Sequence, residues 1–326
     1  MGQITSSTQA PRRIGLIINP RSHANKTKPA DFTAVLARHP EVQAASPDGL
    51  PELHKTLAQF AADGVTLLIV CGGDGTLRDV ISAMPHAYPD DMPEIAILSA
   101  GNTNLAARVL GSAGSDSAAL EKILIAAAQN RLTRKVCPLL QVSWPDEPAR
   151  DPIFGFLFGA ASFTEVKRTA NAAVRGGGLR HGAEVAATVT LTALRAILGR
   201  DPAIKQGWPM TLTVGDRPAI DGQRMLVMAT TLDSLMLGLW PFWGKGQGGI
   251  RWLDIDASPR RLVAGLTNML MRRPKPWMLR GGYRSGRGNA LRLMLTQPFI
   301  LDGEAFEPRS GGVLLSAAAS VTVVAP

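Results

Sequence analysis

The sequence predicts an α/β N-terminal domain, a parallel sheet with helices on its faces, followed by a C-terminal antiparallel β-sandwich-like domain. Over the first third, apolar β-branched runs alternate with Gly/Asn/Ser loops and helical patterns. After about residue 132 the pattern changes to short alternating runs separated by Gly, Pro and Asp. A chain of 326 residues is also long enough for two cores.

The first unit is RIGLII (13–18), the loop NPRSHANKTKP and a helix around DFTAVLARH; the second is VTLLIV (65–70), CGGDG and TLRDVISAM. The third is EIAIL (94–98), SAGNTN and LAARVL. Strands alternating with helices imply parallel pairing, and ligands then bind beyond the carboxyl ends of the strands, where these loops gather. The helical pattern AALEKILIAAAQN closes this part, which sets domains at 13–132 and 133–326 behind a polar leader, 1–12. In the second domain PLLQVSW, MTLTVG, RMLVMATTL, ALRLMLT and VLLSAAASVTVV read as strands, interrupted by a helical segment at about 183–198.

Hydrophobic residues at 45% and charged residues at 19% suit a globular protein. No apolar run reaches the roughly 20 residues of a membrane-spanning helix: IFGFLFGAASF (153–163) is short and VAATVTLTALRAIL (185–198) carries Arg195. The leader lacks the apolar stretch of a secretory signal; Gly2 and Ser6 match a myristoylation pattern, and the same residues read as a disordered leader. Cys71 and Cys137 have no metal-ligand spacing, which leads us to expect a reducing cytoplasm. His23, His39, His54, His86 and His181 are scattered, so neither zinc catalysis nor a triad is indicated. The run Gly176-Gly177-Gly178, flanked by Arg175, Arg180 and His181, reads as a mobile entry loop or an ordinary surface loop.

The stretch CGGDGTLRDVI (71–81) concentrates the chemistry. Gly72 and Gly73 let the backbone approach a ligand without a Cβ in the way. Thr76 is placed to cap the next helix with Asp79 three residues on, and Leu77, Val80, Ile81 and Met84 give that helix a buried stripe. A helix N-terminus suits phosphate. A carboxylate beside phosphate makes sense through Mg²⁺, or through a hydroxyl or water, so Asp74 needs such a partner. The G-x-x-x-x-G-K-[ST] loop of P-loop ATPases is absent, and so is the dinucleotide G-x-G-x-x-G in the first unit. GGDG alone fits an ordinary βα turn equally well. Likewise LDGE (301–304) reads as a hairpin turn or as a pair of working carboxylates.

GGDGT (72–76), NP (19–20) after the first strand, GNTN-LAARVLG (101–111) after the third and ILDGEAFE (300–307) together resemble the diacylglycerol kinase catalytic-domain family. That group includes bacterial lipid kinases and is related to sphingosine and ceramide kinases, with a NAD kinase/phosphofructokinase-like fold. GFLFGAASFTEVKRTANA (155–172) sits where the family has its glycine-containing strand and following helix. The resemblance implies ATP and Mg²⁺ as cofactors and a lipid hydroxyl as acceptor, diacylglycerol or a related neutral lipid first. It implies an ATP site from Asn19, Gly72, Gly73, Asp74, Gly75, Thr76, Gly101, Asn102, Thr103 and Asn104, with Asp74 toward the metal. Asp302 becomes the general base and Glu304 its assistant through metal or water. Three departures stand out: Leu105 where the family has an acid, His23 where it has glycine, and GKGQGGIRWLDID (244–256) in place of its usual second-domain structural Mg²⁺ stretch. Lys26 fits either a phosphate contact or a solvated lysine. A soluble-substrate kinase of the NAD kinase type and a non-catalytic nucleotide- or lipid-sensing relic are the alternatives.

The net charge of +9 is unevenly placed: nine basic residues, Arg260, Arg261, Arg272, Arg273, Lys275, Arg280, Arg284, Arg287 and Arg292, fall in a span without Asp or Glu. Trp240, Trp243, Trp252 and Trp277 lie beside or within it. The combination reads as an anionic membrane surface contact or as a solvated basic face over core tryptophans. No nucleic-acid motif accompanies the arginines, so nucleic acid is not expected as a partner. The expected location is cytoplasmic, peripheral at the inner membrane face.

Overall fold

Strands covered by helices on both faces need apolar side chains at nearly every position, and β3 (Leu67–Gly72, LLIVCG) is buried along its whole length. It pairs in parallel with β1 (Ile14–Ile18) and β4 (Glu94–Ser99), and β1 pairs with β2 (Val42–Ala45). The computed structural model describes residues 12–22, 31–101, 104–163, 206–235, 240–309 and 311–326. Residues 1–11, His23, Lys26, Asn102, Thr103, the Gly176–Gly178 run and the 183–198 segment lie outside the described residues.

Helices cover both faces of this first sheet. On one side α2 (Leu50–Ala62), α3 (Asp74–Ala87) and α4 (Leu105–Leu110) bury Leu57, Leu77, Val80 and Ile81 against Leu68, Val70 and Ile97. On the other, α1 (Thr33–Arg38) and α5 (Ser117–Ala128) cover Leu16, Ile69 and Leu98. The Asp116 side chain caps α5 by accepting from the Ala119 N–H at 2.9 Å. The short edge strand β2 and helix α2 add to the three units read from sequence.

The change of pattern at residue 132 does not coincide with a change of sheet. β5 (Thr133–Pro138) stays in the first sheet, and β17 (Ser320–Ala325) returns to it between β4 and β5, giving the order β2-β1-β3-β4-β17-β5. The run VLLSAAASVTVV is therefore two strands, β16 (Val313–Ser316) and β17, in different sheets. Val321 and Val323 face one core of the first sheet and Val324 the other, so β17 has the burial of a central strand.

Among the described residues the second sheet is antiparallel, with eleven strands. Its path runs β15 (Glu304–Phe306), β14 (Phe299–Leu301), β8 (Leu157–Ala161), β10 (Ile220–Thr230), β9 (Trp208–Val214), β13 (Ala290–Leu295), β16, β6 (Leu140–Ser143) and β7 (Ile153–Gly155). β11 (Ile250–Asp256) pairs with β10 and with β12 (Tyr283–Gly288). A register shift between Arg224 and Leu226 marks where β10 changes neighbour from β9 to β8. Such a bulge bends a strand, and the sheet curls so that Leu140, Phe158, Leu212, Val227, Leu291 and Leu315 share one core. Asp254 and Asp256, in the stretch matched to a structural metal site, are held by arginines instead. Arg224 Nε lies 3.0 Å and Arg284 Nε 2.7 Å from Asp254, and both arginines reach Asp256.

The tryptophans belong to the interior more than to a membrane contact. Trp252 is 5% exposed, within the core of the curled sheet. Trp240, Trp243 and Trp277 pack half-buried against the cluster of Met225, Leu253, Ile255 and Met278. Indole rings carry more apolar area than any other side chain, and here that area is spent on packing.

Candidate active site

Three strand ends and one hairpin converge. At the end of β1, the Asn19 N–H donates to the Cys71 carbonyl at 2.9 Å, which ties this loop to the end of β3. The Asn19 side-chain Nδ2 donates to Thr76 Oγ1 at 2.7 Å, and its Oδ1 accepts from the Arg21 N–H at 2.8 Å. Thr76 therefore does not cap α3. The helix starts two residues earlier, with Gly73 at the cap and Asp74 in the first turn, where a carboxylate is favoured by the helix dipole. A Cβ on Gly72 would lie 2.5–2.7 Å from the Thr76 side chain, so glycine at 72 is what lets Thr76 turn back toward Asn19. Asp79, expected to complete a cap, instead accepts from Arg78 at 2.6 Å.

The second and third loops touch backbone to backbone. A Cβ on Gly101 would stand 2.6 Å from Gly73 Cα, and one on Gly73 would stand 3.0 Å from Gly101 Cα. Asn104, at φ 49, accepts from the Gly101 N–H at 2.9 Å and donates to the Gly101 carbonyl at 2.7 Å. Its amide thereby fastens the loop. Asp74 Oδ1 accepts from the Ala106 N–H at 3.0 Å, so the GGDG aspartate caps the neighbouring helix α4.

The hairpin comes from the second sheet. Asp302 (φ 46) and Gly303 (φ 86) form the two-residue link between β14 and β15, with the positive φ angles of a type I′ turn. The turn is real, and it carries the Asp302 carboxylate. Asp302 accepts from the Phe156 N–H at 3.0 Å and the Leu157 N–H at 2.8 Å. A Cβ on Gly155 would collide with the Asp302 carboxylate and come within 2.8 Å of Leu301 Cγ, so that glycine makes the room. Burial pushes the Asp302 carboxyl up to about 7; the Leu157 and Phe156 N–H groups oppose the rise, the Asp74 carboxylate adds to it, and the Arg78 guanidinium reduces it.

Arg78 escapes the sequence reading. It is 4% exposed, on α3. One guanidinium nitrogen, Nη2, donates to Asp79 and, at 2.9 Å, to Glu304 Oε2. The group also lies 5.1 Å from the centre of the Phe306 ring. An arginine four residues after Asp74 falls on the same helix face, and that spacing was the available signal. Glu304 packs so closely on Gly75 that a Cβ there would be 2.6 Å from Oε1.

Asn19, Arg21, Thr76, Asp79 and Glu304 line a cleft of about 360 Å³ whose far wall is the Pro47–Leu53 segment at the start of α2. The structure thus brings together Asn19, the GGDGT residues, Gly101, Asn104, Asp302 and Glu304. Asn102 and Thr103 lie outside the described residues.

Residues 13–134 match the diacylglycerol kinase catalytic domain. The whole chain also superposes on solved structures. A diacylglycerol kinase from Bacillus anthracis str. Sterne aligns with TM-score 0.57 and 15% identity over 98% of each chain. A second structure from that organism, assigned as a diacylglycerol kinase, aligns with TM-score 0.64 and 14% identity over 98% of each chain. Yeast NADH kinase complexed with NADH aligns with TM-score 0.51 and 12% identity over 98% of this chain and 84% of that one. At these identities the likeness is one of fold. No curated protein matches the sequence. The match gives the chain a diacylglycerol kinase catalytic domain over residues 13–134, the mark of a phosphotransferase of the kinase class, and the fold of the solved kinases extends across both sheets.

Proposed function

We propose that the protein transfers the γ-phosphoryl group of ATP to the hydroxyl of a neutral lipid, diacylglycerol first. The observation that carries this reading is Asp302: a half-buried carboxylate, fixed by two backbone N–H groups and poised near pH 7, on a hairpin that meets the N-terminus of α3. A general base works best when its pKa lies near the operating pH. The nucleoside end of ATP fits the cleft between Asn19, Thr76 and the start of α2. Its phosphates then run toward the N-terminus of α3, a position that suits phosphate, beside the close backbone contact of Gly73 and Gly101.

Asp302 takes the proton of the lipid hydroxyl, whose oxygen attacks the γ-phosphorus. The bond from that phosphorus to the β,γ-bridging oxygen breaks, and ADP leaves. Glu304, anchored by Arg78, and Asp74, anchored by the Ala106 N–H, border the path. The residues fit Mg²⁺. Their donors are hard carboxylate oxygens, and Asp74 is close enough to Asp302 for its charge to raise that group's proton affinity. Mg²⁺ needs only one or two carboxylates when phosphates fill its other positions. Asp74 would hold it, with Glu304 assisting, and when bound it would neutralise charge on the β- and γ-phosphates. ATP use and the buried thiols Cys71 and Cys137 fit a cytoplasmic enzyme.

Transfer of label from γ-labelled ATP to a panel of diacylglycerol, monoacylglycerol, ceramide, a sphingoid base and NAD tests the reading. Label on diacylglycerol supports it. Label on NAD alone would move the protein to the soluble-substrate class, and ATP binding without turnover on any acceptor would make it a sensor.

A further inference from the structure

We propose that the helical hairpin of α6 (Leu262–Leu270) and α7 (Pro276–Arg280) is a docking element for an anionic lipid bilayer. The inference stands on this hairpin alone and does not depend on the kinase reading.

The hairpin is firmly seated from below. Gly265, Leu266 and Met269 are the buried stripe of α6, set on Leu253, Ile255 and Tyr283. A Cβ on Gly265 would strike the Tyr283 ring, and the Tyr283 hydroxyl donates to the Arg260 carbonyl at 3.1 Å. Trp277 meets Tyr283 edge-on at 5.9 Å, with Arg261 5.7 Å from the Trp277 ring.

The outward face is the unusual part. Residues 262–271, LVAGLTNMLM, contain no charge. Val263 is 66% exposed, Leu270 45% and Met271 61%, and Leu279 on α7 is 67% exposed. Val263, Thr267, Leu270 and Met271 follow i, i+4, i+7, i+8, so they form one stripe opposite the buried one. The polar groups on this helix are turned inward to its own backbone: Thr267 Oγ1 donates to the Val263 carbonyl at 2.9 Å and Asn268 Nδ2 to the Ala264 carbonyl at 2.8 Å. A helix that is apolar all round is normally covered on every side, and this one is covered on one side only.

The surrounding charge says what covers the other. Arg260 and Arg261 precede α6, Arg272, Arg273 and Lys275 follow it, and Arg280 ends α7. Among the described residues, Arg260, Arg261, Arg273, Lys275 and Arg280 make no ion pair. Other arginines of the basic span are engaged: Arg284 with Asp254 and Asp256, and Arg287 with the Gly248 carbonyl. An apolar stripe one helix long, with cations at both ends, is the pattern of a helix lying in a bilayer interface, where apolar burial and attraction to anionic headgroups add. A protein partner would bring acidic and apolar residues in a matching arrangement. An anionic bilayer offers both without specific geometry, which suits a face whose large exposed hydrophobic side chains along α6 are Val263, Leu270 and Met271.

Sedimentation with phosphatidylglycerol/phosphatidylcholine vesicles and with phosphatidylcholine vesicles, without ATP, tests the proposal. Wild-type protein should pellet with the anionic vesicles at least tenfold more strongly. Neutralising Arg273, Lys275 and Arg280 to glutamine should weaken that binding roughly 100-fold. A variant with Val263→Ser, Leu270→Ser, Met271→Ser and Leu279→Ser keeps every charge and should still lose at least tenfold. Circular dichroism and melting temperature check that each variant folds. Equal binding to both vesicle types, or a serine variant that binds like wild type, would overturn the proposal. A wild-type dimer that the serine variant converts to monomer would assign the face to a second copy instead. Both variants should retain turnover on detergent-dispersed diacylglycerol and lose it on vesicle-embedded substrate. Absence of turnover in every format would count against the kinase reading and leave the pelleting result intact.

Discussion

Replacing Asp302 with asparagine separates the carboxylate's chemistry from its place in the turn. Asparagine tolerates positive φ, so the link at φ 46 survives, and its amide oxygen can still accept from the Phe156 or Leu157 N–H. What disappears is the ionisable oxygen. Burial raises the Asp302 pKa from 3.8 to about 7, so between those values the native chain holds a proton that the unfolded chain has released. Stability follows the protons bound by the unfolded state minus those bound by the native state. That contribution is therefore fully present below about pH 4 and is lost as pH rises through about 7. The rise corresponds to at most roughly 4 kcal/mol. The Asp302→Asn chain has no such slope. The variant should melt only slightly above wild type near pH 5 and several degrees above it at pH 8, because about 1 kcal/mol moves the melting temperature of a large domain by roughly 2–4 °C. Activity should go the other way. Wild-type kcat/KM should fall about tenfold per pH unit below an inflection near 7, and the variant should be about 10²–10⁴-fold slower without that limb. Calorimetry and lipid phosphorylation from pH 5 to 8 read both effects. An Asp302→Asn enzyme with wild-type turnover, or one whose melting temperature follows pH as the wild type's does, would refute the reasoning.

Arg78→Gln removes the cation that favours ionised Asp302, so the acid limb of kcat/KM should move upward, by less than about one pH unit because Arg78 is the weakest of the influences on that group; an unmoved limb would detach Arg78 from Asp302. Gly101→Ala places a methyl 2.6 Å from Gly73 Cα and should part the two loops, weakening ATP binding at least tenfold by titration calorimetry while costing about 1–3 kcal/mol of stability. Asp254→Ala leaves Arg224, itself 1% exposed, and Arg284 with Asp256 as their one remaining carboxylate, and should cost at most about 3–5 kcal/mol in denaturant unfolding.

Much of the first sheet was legible because its strands are buried on both faces and so read as unbroken apolar runs, each followed by a glycine-bearing loop. β2 was not, since VQAA is four residues long, half exposed and has Val42 as its single β-branched core residue. The helix LPELHKTLAQFAA buries Leu53, Leu57 and Phe60 at i, i+4, i+7, a pattern present in the sequence but diluted by charged neighbours. β17 was legible as a strand and illegible as a member of the first sheet, because the partner of a strand is set by distant residues. The GGDGT and DGE motifs fall on loops that the structure brings together. They did not disclose that Thr76 binds Asn19 and not its own helix, or that Asp74 caps α4, since both depend on which loop lies opposite. Arg78 was hidden because arginines on helices are usually solvated.

The return of β17 explains how residues more than two hundred positions apart in sequence come to share one site. The chain leaves the first sheet after β5 and re-enters it at β17, and the two crossings are bonded to each other, Leu139 N–H to the Ala319 carbonyl at 2.9 Å. β17 then locks between β4 and β5, with Val323 opposite Ile95 and Lys135. Phe154, Phe156 and Leu232 from the second sheet enter the core beneath α3, and Ser82 on that helix accepts from the Phe154 N–H at 2.9 Å. The stretch that carries Phe156, between β7 and β8, is thus fixed against α3, and it holds Asp302 through the Phe156 and Leu157 N–H groups. Position is therefore relayed from the GGDG helix to the 302 carboxylate through packed backbone, with Arg78 and Glu304 as a direct second link. Two independent supports of this kind leave the hairpin little freedom to swing away from α3. Any opening of the site must then come from elements other than the hairpin.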